Sequence, residues 1–249
     1  ENYMSTDPND ASSVIYKGGW PFNLEKDGKH DPGFGNCDEL PYGNGCVCSS
    51  DDECRPDAHC LTLMMDAACV PRIGAQLPRF SAIDQYGDEF DIYDLVGQGK
   101  PVILEIGTQW CRPCKLVSQW LSTDSKVVFD DISDEPWWKP EYTKVKEIIR
   151  DGGAYWVTAF HQNAYREEVT PDDVADWHDS YPHDNVILLT DPDEKMKMWV
   201  RPTAYPTLVF LDEELQLRAH TLRGVKEAWE MLLQYHVILS HRHSNLQNY

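Results

Sequence analysis

Six of the eight cysteines in this 249-residue chain (Cys37, Cys46, Cys48, Cys54, Cys60 and Cys69) fall within 33 residues, and only Cys111 and Cys114 lie elsewhere. The six are separated by 8, 1, 5, 5 and 8 residues, in a segment rich in Gly, Asp and Pro and poor in large apolar side chains. A segment of that kind cannot bury enough surface to fold unaided, so an even set of cysteines reads as a disulfide framework. The rival is a structural zinc site, which normally shows two Cys-x-x-Cys knuckles or a mixed Cys/His set. Here there is one Cys-x-Cys, only His59 nearby, and the acidic run "SSDDEC". Three bridges among six cysteines can be drawn in fifteen ways, and the spacing selects none of them. Disulfides at this density imply an oxidising, extracytoplasmic location: periplasm, cell surface or extracellular space.

The cysteine distribution divides the chain into an extended N-terminal segment (1–36), a stapled module (37–72) and a larger conventional domain (73–249). Residues 1–36 are polar and rich in Gly, Pro and Asn, the composition of a tether or of a strap on a surface. Acidic residues outnumber basic ones 42 to 22, a formal charge of −20, with no basic run to offset it. Nucleic acid and anionic lipid are therefore poor partners for this surface. The longest apolar stretches, "PVILEIG" and "MLLQYHVILS", are far shorter than the roughly 20 residues a membrane helix requires, so no membrane insertion is expected. The chain opens at Glu1 without a signal sequence, as a processed mature form or a trimmed one would, and a lost lipid anchor is compatible with it.

In the larger domain, strand-like and helix-like patterns alternate. "EFDIYDL" and "PVILEIG" read as strands, and "RPCKLVSQWLST" as a helix with Leu116, Val117, Trp120 and Leu121 on one face. "PEYTKVKEIIRDGG" then predicts a helix, "AYWVTAF" a strand, "TPDDVADWH" a helix capped by Thr170, "NVILLTD" a strand and "PDEKMKMWV" a helix. The strands "TLVFLD" and "LQLRAHTL" and the helix "VKEAWEMLLQYHVIL" complete the order, which predicts an α/β sandwich with a mixed central sheet.

The stretch "VILEIGTQWCRPCK" sets Cys111 and Cys114 directly after a buried strand and at the start of a helix. There the unpaired N–H groups and the helix dipole favour a thiolate at the first sulfur, while the second, one turn further in, is placed to close a disulfide with it. Arg112 adds positive charge between them, and Pro113 suits a first helical turn because it needs no N–H partner. That geometry fits a reversible redox couple better than a permanent staple.

These residues resemble the thioredoxin superfamily, specifically its extracytoplasmic redoxin branch of ResA/TlpA-like thiol-disulfide oxidoreductases. The likeness lies in Trp110 before the first cysteine, Lys115 after the second, and a carboxylate, Glu105, six residues ahead of Cys111. It extends to "AYPTLVFLDEELQL", similar to the family's cis-proline followed by Thr and an apolar strand, and to "IGAQLPRFSAIDQYGDEFDIYDLVGQGK", similar to a redoxin lead-in. It covers roughly residues 73 to 238. The resemblance implies a thioredoxin-like fold, Cys111 and Cys114 as catalytic sulfurs, and Glu105 as a buried base serving Cys114. It further implies a substrate groove built from Trp110, Arg112, Pro113, Tyr205, the cis-proline Pro206 and Thr207. The implied partners are protein disulfides or dithiols and an unidentified redox donor, with no cofactor and no metal.

Two features depart from a minimal member. The stretch from Ser122 to Gly153 is long and acidic and carries Trp137 and Trp138 side by side, either as a docking lip or as a solvated insertion whose tryptophans pack inward. Tyr205 is bulky for a residue ahead of the cis-proline. The competing class is a secreted binding or scaffold protein that uses the fold as a rigid frame. His161 would suit copper delivery, but those proteins resemble Cys-x-x-x-Cys, and no peroxidatic Pro-x-x-x-Thr-x-x-Cys accompanies the lead-in. His241 and His243 read as a polar tail, and the nine tryptophans as packing.

Overall fold

The computed structural model describes residues 16–62 and 66–246, with side chains in the last helix described through residue 238. Strands β1 (Ala58–Thr62) and β2 (Ala67–Pro71) form an antiparallel hairpin in the cysteine-rich module. Three disulfides hold it: Cys37–Cys46, Cys48–Cys60 and Cys54–Cys69. Cys60 and Cys69 face each other across the hairpin, yet each bonds a cysteine from the loop before it, so the bridges tie that loop to both strands. A second hairpin, β3 (Ser81–Ile83) with β4 (Glu89–Asp91), leads into the main sheet. The strand expected over "EFDIYDL" stops at Asp91, whose side chain accepts the Tyr93 N–H and turns Ile92–Leu95 into a 3-10 helix.

The main sheet contains β5 (Val102–Gly107), β6 (Tyr155–Phe160), β7 (Val186–Thr190), β8 (Thr207–Leu211) and β9 (Leu217–His220). Their order is β7-β6-β5-β8-β9, with β5, β6 and β7 parallel and β8 and β9 antiparallel to their neighbours. The helices are α1 (Arg112–Ser122), α2 (Lys126–Ser133), α3 (Thr143–Arg150), α4 (Pro171–Ser180), α5 (Lys195–Val200) and α6 (Lys226–Leu246). Together they form a thioredoxin-like α/β sandwich with a mixed central sheet. In α4, Thr170 and Asp173 form a reciprocal capping box behind Pro171, as the start signal predicted. Helix α2, within the acidic insertion, was not anticipated.

Because side chains alternate along a strand, β5 feeds two cores. Val102, Leu104 and Ile106 join Val157, Ile187, Val209, Met196 and Trp199 on one face. Ile103 joins Leu116, Val117, Trp120, Trp156, Phe210 and Trp229 on the other, beneath α1 and α6. Trp137 and Trp138 pack against this second core: Trp138 meets Trp120 edge-on at 5.3 Å, and Trp137 meets Trp229 at 5.8 Å. The insertion's tryptophans are thus half-buried packing contacts.

Residues 16–36 act as a strap over the first core. Tyr16 and Trp20 are buried in it. The wholly buried Asp94 accepts hydrogen bonds from the Tyr16 hydroxyl, the Asn23 N–H and the Lys26 ammonium. The cysteine module also lies on the main domain: a Cβ at Gly45, whose φ is +84°, would stand 2.6 Å from the Met198 carbonyl oxygen, so only glycine permits this approach. Among the described residues, no helix is long and apolar enough to cross a membrane.

Candidate functional site

Cys111 is the N-cap residue of α1, and its sulfur accepts a hydrogen bond from the Cys114 N–H at 3.1 Å. A sulfur so placed receives an unpaired amide and the positive end of the dipole, both of which favour its ionised form. Pro113 lies in the first turn, where its missing N–H leaves no gap. The two cysteines are joined as a disulfide, with their Cα atoms 5.3 Å apart. Cys114 is fully buried and Cys111 is only 3% exposed, more enclosed than a helix end alone would predict.

Trp110 forms one wall. Its indole N–H donates to the Gln162 side-chain oxygen at 2.9 Å, the Arg166 guanidinium lies 4.0 Å from its ring centroid, and the Tyr205 ring meets it edge-on at 5.9 Å. Gln162 and Arg166 come from the turn after β6, folded around the Asn163 side chain, which accepts the N–H groups of Tyr165 and Glu167. Arg166 holds a φ of +68° there. Sequence reasoning missed both residues. The Asn in "HQNAYRE" signals a turn, but nothing local says that the turn reaches Trp110.

The Arg112 side chain is 77% exposed, and its charge is directed to Glu135 at 2.9 Å, so part of the expected positive field is spent on the insertion. Tyr205-Pro206 is a cis peptide bond. The Thr207 hydroxyl bridges the carbonyls of Ala204 and Leu222, and the Pro206 carbonyl accepts the Gly224 N–H. Tyr205 itself takes no main-chain hydrogen bond among the described residues, leaving its N–H and C=O open.

Glu105 points from β5 to the face that α1 covers and is 1% exposed. One carboxylate oxygen accepts from the Trp156 indole at 3.0 Å and from the Thr158 hydroxyl at 2.9 Å, and the other has no partner among the described residues. Burial pushes its pKa up to about 7 against the opposing pull of those two hydrogen bonds. A carboxyl so poised can take or return a proton near neutral pH.

The structure therefore brings together Cys111, Cys114, Trp110, Arg112, Pro113, Tyr205, Pro206 and Thr207 at one end of the sheet, with Glu105 under the helix. The six module cysteines are all bridged. Side chains of His241 and His243 lie outside the described residues. A thioredoxin-like sandwich carrying a Cys-x-x-Cys at a helix N-terminus is the class that this fold and site define. No family model matches the chain, and no curated protein matches it. Solved structures with similar chain course include a protein disulfide isomerase candidate from Bacteroides thetaiotaomicron, 20% identical, covering 70% of this chain and 94% of that one at a TM-score of 0.45. The thioredoxin domain of a thiol-disulfide oxidoreductase from Bacteroides vulgatus is 16% identical, covering 66% and 97% at 0.43. An exposed lipoprotein thioredoxin from Streptococcus pneumoniae is 21% identical, covering 63% and 98% at 0.40. At such values neither activity nor location passes from those proteins to this chain.

Proposed function

We propose that the chain is an extracytoplasmic thiol-disulfide oxidoreductase that reduces disulfides of partner proteins. The observation that carries this reading is the Cys111 sulfur capping α1 above a buried carboxyl poised near neutral pH. A dithiol donor first reduces the Cys111–Cys114 bond. The Cys111 thiolate then attacks one sulfur of a partner disulfide, forming a mixed disulfide and expelling the partner's other sulfur as a thiolate. Cys114, having passed its proton to Glu105, attacks the Cys111 sulfur, breaking the mixed disulfide and expelling the partner's second sulfur. Two electrons have moved to the partner, and Cys111–Cys114 is oxidised again. The open main-chain groups of Tyr205 are placed to pair with the partner's backbone. Three disulfides within the 37–72 module support the oxidising location.

The enclosure of Cys111 favours a second reading, a locked disulfide in a binding scaffold. Turnover of insulin with dithiothreitol as donor decides between them. The expected outcome is catalysis that Cys111→Ser abolishes; no rate above buffer would leave the scaffold.

A further inference from the structure

Next to Trp110, whose indole N–H bonds the Gln162 side chain, lies a cavity of about 350 Å³ lined by His161, Gln162, Glu168, Asp191, Asp193 and Glu194. The His161 ring packs against the Tyr205 ring at 5.1 Å, and Tyr205 meets Trp110, so two lining residues, His161 and Gln162, join the cavity to the sulfurs' surroundings. Four of the six lining residues are carboxylates and none is cationic. Lys197 takes one oxygen of Glu194 at 2.7 Å and Lys195 approaches Asp193 at 3.5 Å, but neither lysine lines the cavity. Asp191 spends its oxygens on the N–H groups of Met196 and Lys197 and fixes the start of α5.

His161 is an independent observation. It is 4% exposed, and among the described residues neither ring nitrogen makes a hydrogen bond; Nδ1 stands 3.4 Å from a Glu194 oxygen without hydrogen-bond geometry. Burial, with Lys197 nearby, pushes its pKa down to about 4 against the pull of Glu194, so the ring is neutral at physiological pH and presents one donor and one acceptor. Leaving such groups unpaired is unfavourable, and an occupant that donates to the acceptor nitrogen relieves part of that cost.

We propose that this cavity is a specificity subsite for a cationic side chain, arginine or lysine, of the disulfide-bearing partner. The proposal rests on the redox reading above and names the substrate class it serves. A single metal ion fits less well. Among the described residues only Cys48, Cys54 and Cys69 bring three ligating atoms within 4.8 Å of one another, and those sulfurs are bridged; the cavity's carboxylates are spread wider. Spread acceptors suit a guanidinium, whose five donors fan across several ångströms. The chain's charge of −20 also favours encounter with a cationic partner.

Binding to the oxidised, full-length protein tests this without requiring turnover, so failure of the subsite and failure of the redox reading are separable. The probes are peptides in which serine replaces the reacting cysteine and Arg, Ser or Glu is scanned through the three positions on either side, measured by calorimetry. At one position at least, Arg should bind roughly tenfold more tightly than Ser. Glu should bind more weakly than Ser at that position, and the Arg preference should shrink as salt rises to about 1 M. The double variant Glu168→Gln/Glu194→Gln alters an exposed and a half-buried side chain, neither making a helix-capping hydrogen bond, and it should bring the Arg-to-Ser ratio to within about twofold of unity. Equal binding of Arg and Ser at every position, or an Arg preference that survives the double substitution, would overturn the subsite.

Discussion

Glu105 is the only ionisable side chain in a strand buried on both faces, and its proton is held by desolvation. The unfolded chain releases that proton near 4.5 and the folded chain near 7. Below about pH 4.5 both states hold it and Glu105 has no effect on stability; as pH rises through 7 the native state must ionise it in a dry core, and stability falls across that window. Glu105→Gln should therefore be the more stable protein at pH 8, by on the order of 3 kcal/mol, with the gap closed at pH 4, as read by urea denaturation. The same variant should slow turnover and flatten the pH–rate profile between about 6 and 8. The sulfurs are unequal in a different way, since Cys111 caps the helix while Cys114 lies inside its first turn. In Cys114→Ser, mixed disulfides between Cys111 and partner proteins should accumulate on non-reducing gels, and in Cys111→Ser almost none should form. The placement of Cys111 and Cys114 at a helix start, and of Glu105 on the buried strand before them, was legible in the sequence because it resides in local spacing. Gln162 and Arg166 were not, because a crossover of some fifty residues carries their turn to Trp110.

At the scale of elements, periodic apolar patterns located every main-sheet strand and the long helices, and patterns without period misled. Residues 16–36 have the composition of a tether or a surface strap; the strap is what forms, but Tyr16 and Trp20 are placed by the fold inside the first core, a tertiary outcome that no local pattern encodes. The 3-10 turn after β4 is similar: one side-chain hydrogen bond from Asp91 outweighs the strand propensity of Ile92 and Tyr93. Asp94 on that turn is the strap's anchor, fully buried and 2.7 Å from the Lys26 ammonium. Removing one partner of a buried pair leaves the other desolvated, since among the described residues the carboxylate left to Lys26 is Asp91 at 3.7 Å. Asp94→Ala should cost about 3 kcal/mol in urea denaturation, and limited proteolysis should cut the strap before it cuts the sheet.

For the whole molecule, the division of cysteines into six and two was legible, while the connectivity was not, because the packing of the preceding loop on a short hairpin decides it. The four disulfides it leaves are chemically distinct, and a graded reduction should separate them. Cys111–Cys114 spans three residues, and reduction frees a thiolate that the helix end and the Cys114 amide stabilise, so this bond should open first despite its enclosure. Within the module, Cys37 is exposed, so Cys37–Cys46 should follow. Cys48–Cys60 and Cys54–Cys69 close longer loops and hold the buried centre of a module with almost no apolar core, so they should yield last and together with unfolding of residues 37–72. Equilibration in a series of glutathione redox buffers, acid quench, alkylation and peptide mapping give the order directly. The expected sequence is label at Cys111 and Cys114, then at Cys37 and Cys46, then at the remaining four as the hairpin melts. If the module's cysteines took label before Cys111, the helix end would not be lowering the cost of the thiolate, and the Cys111–Cys114 bond would be one more structural staple.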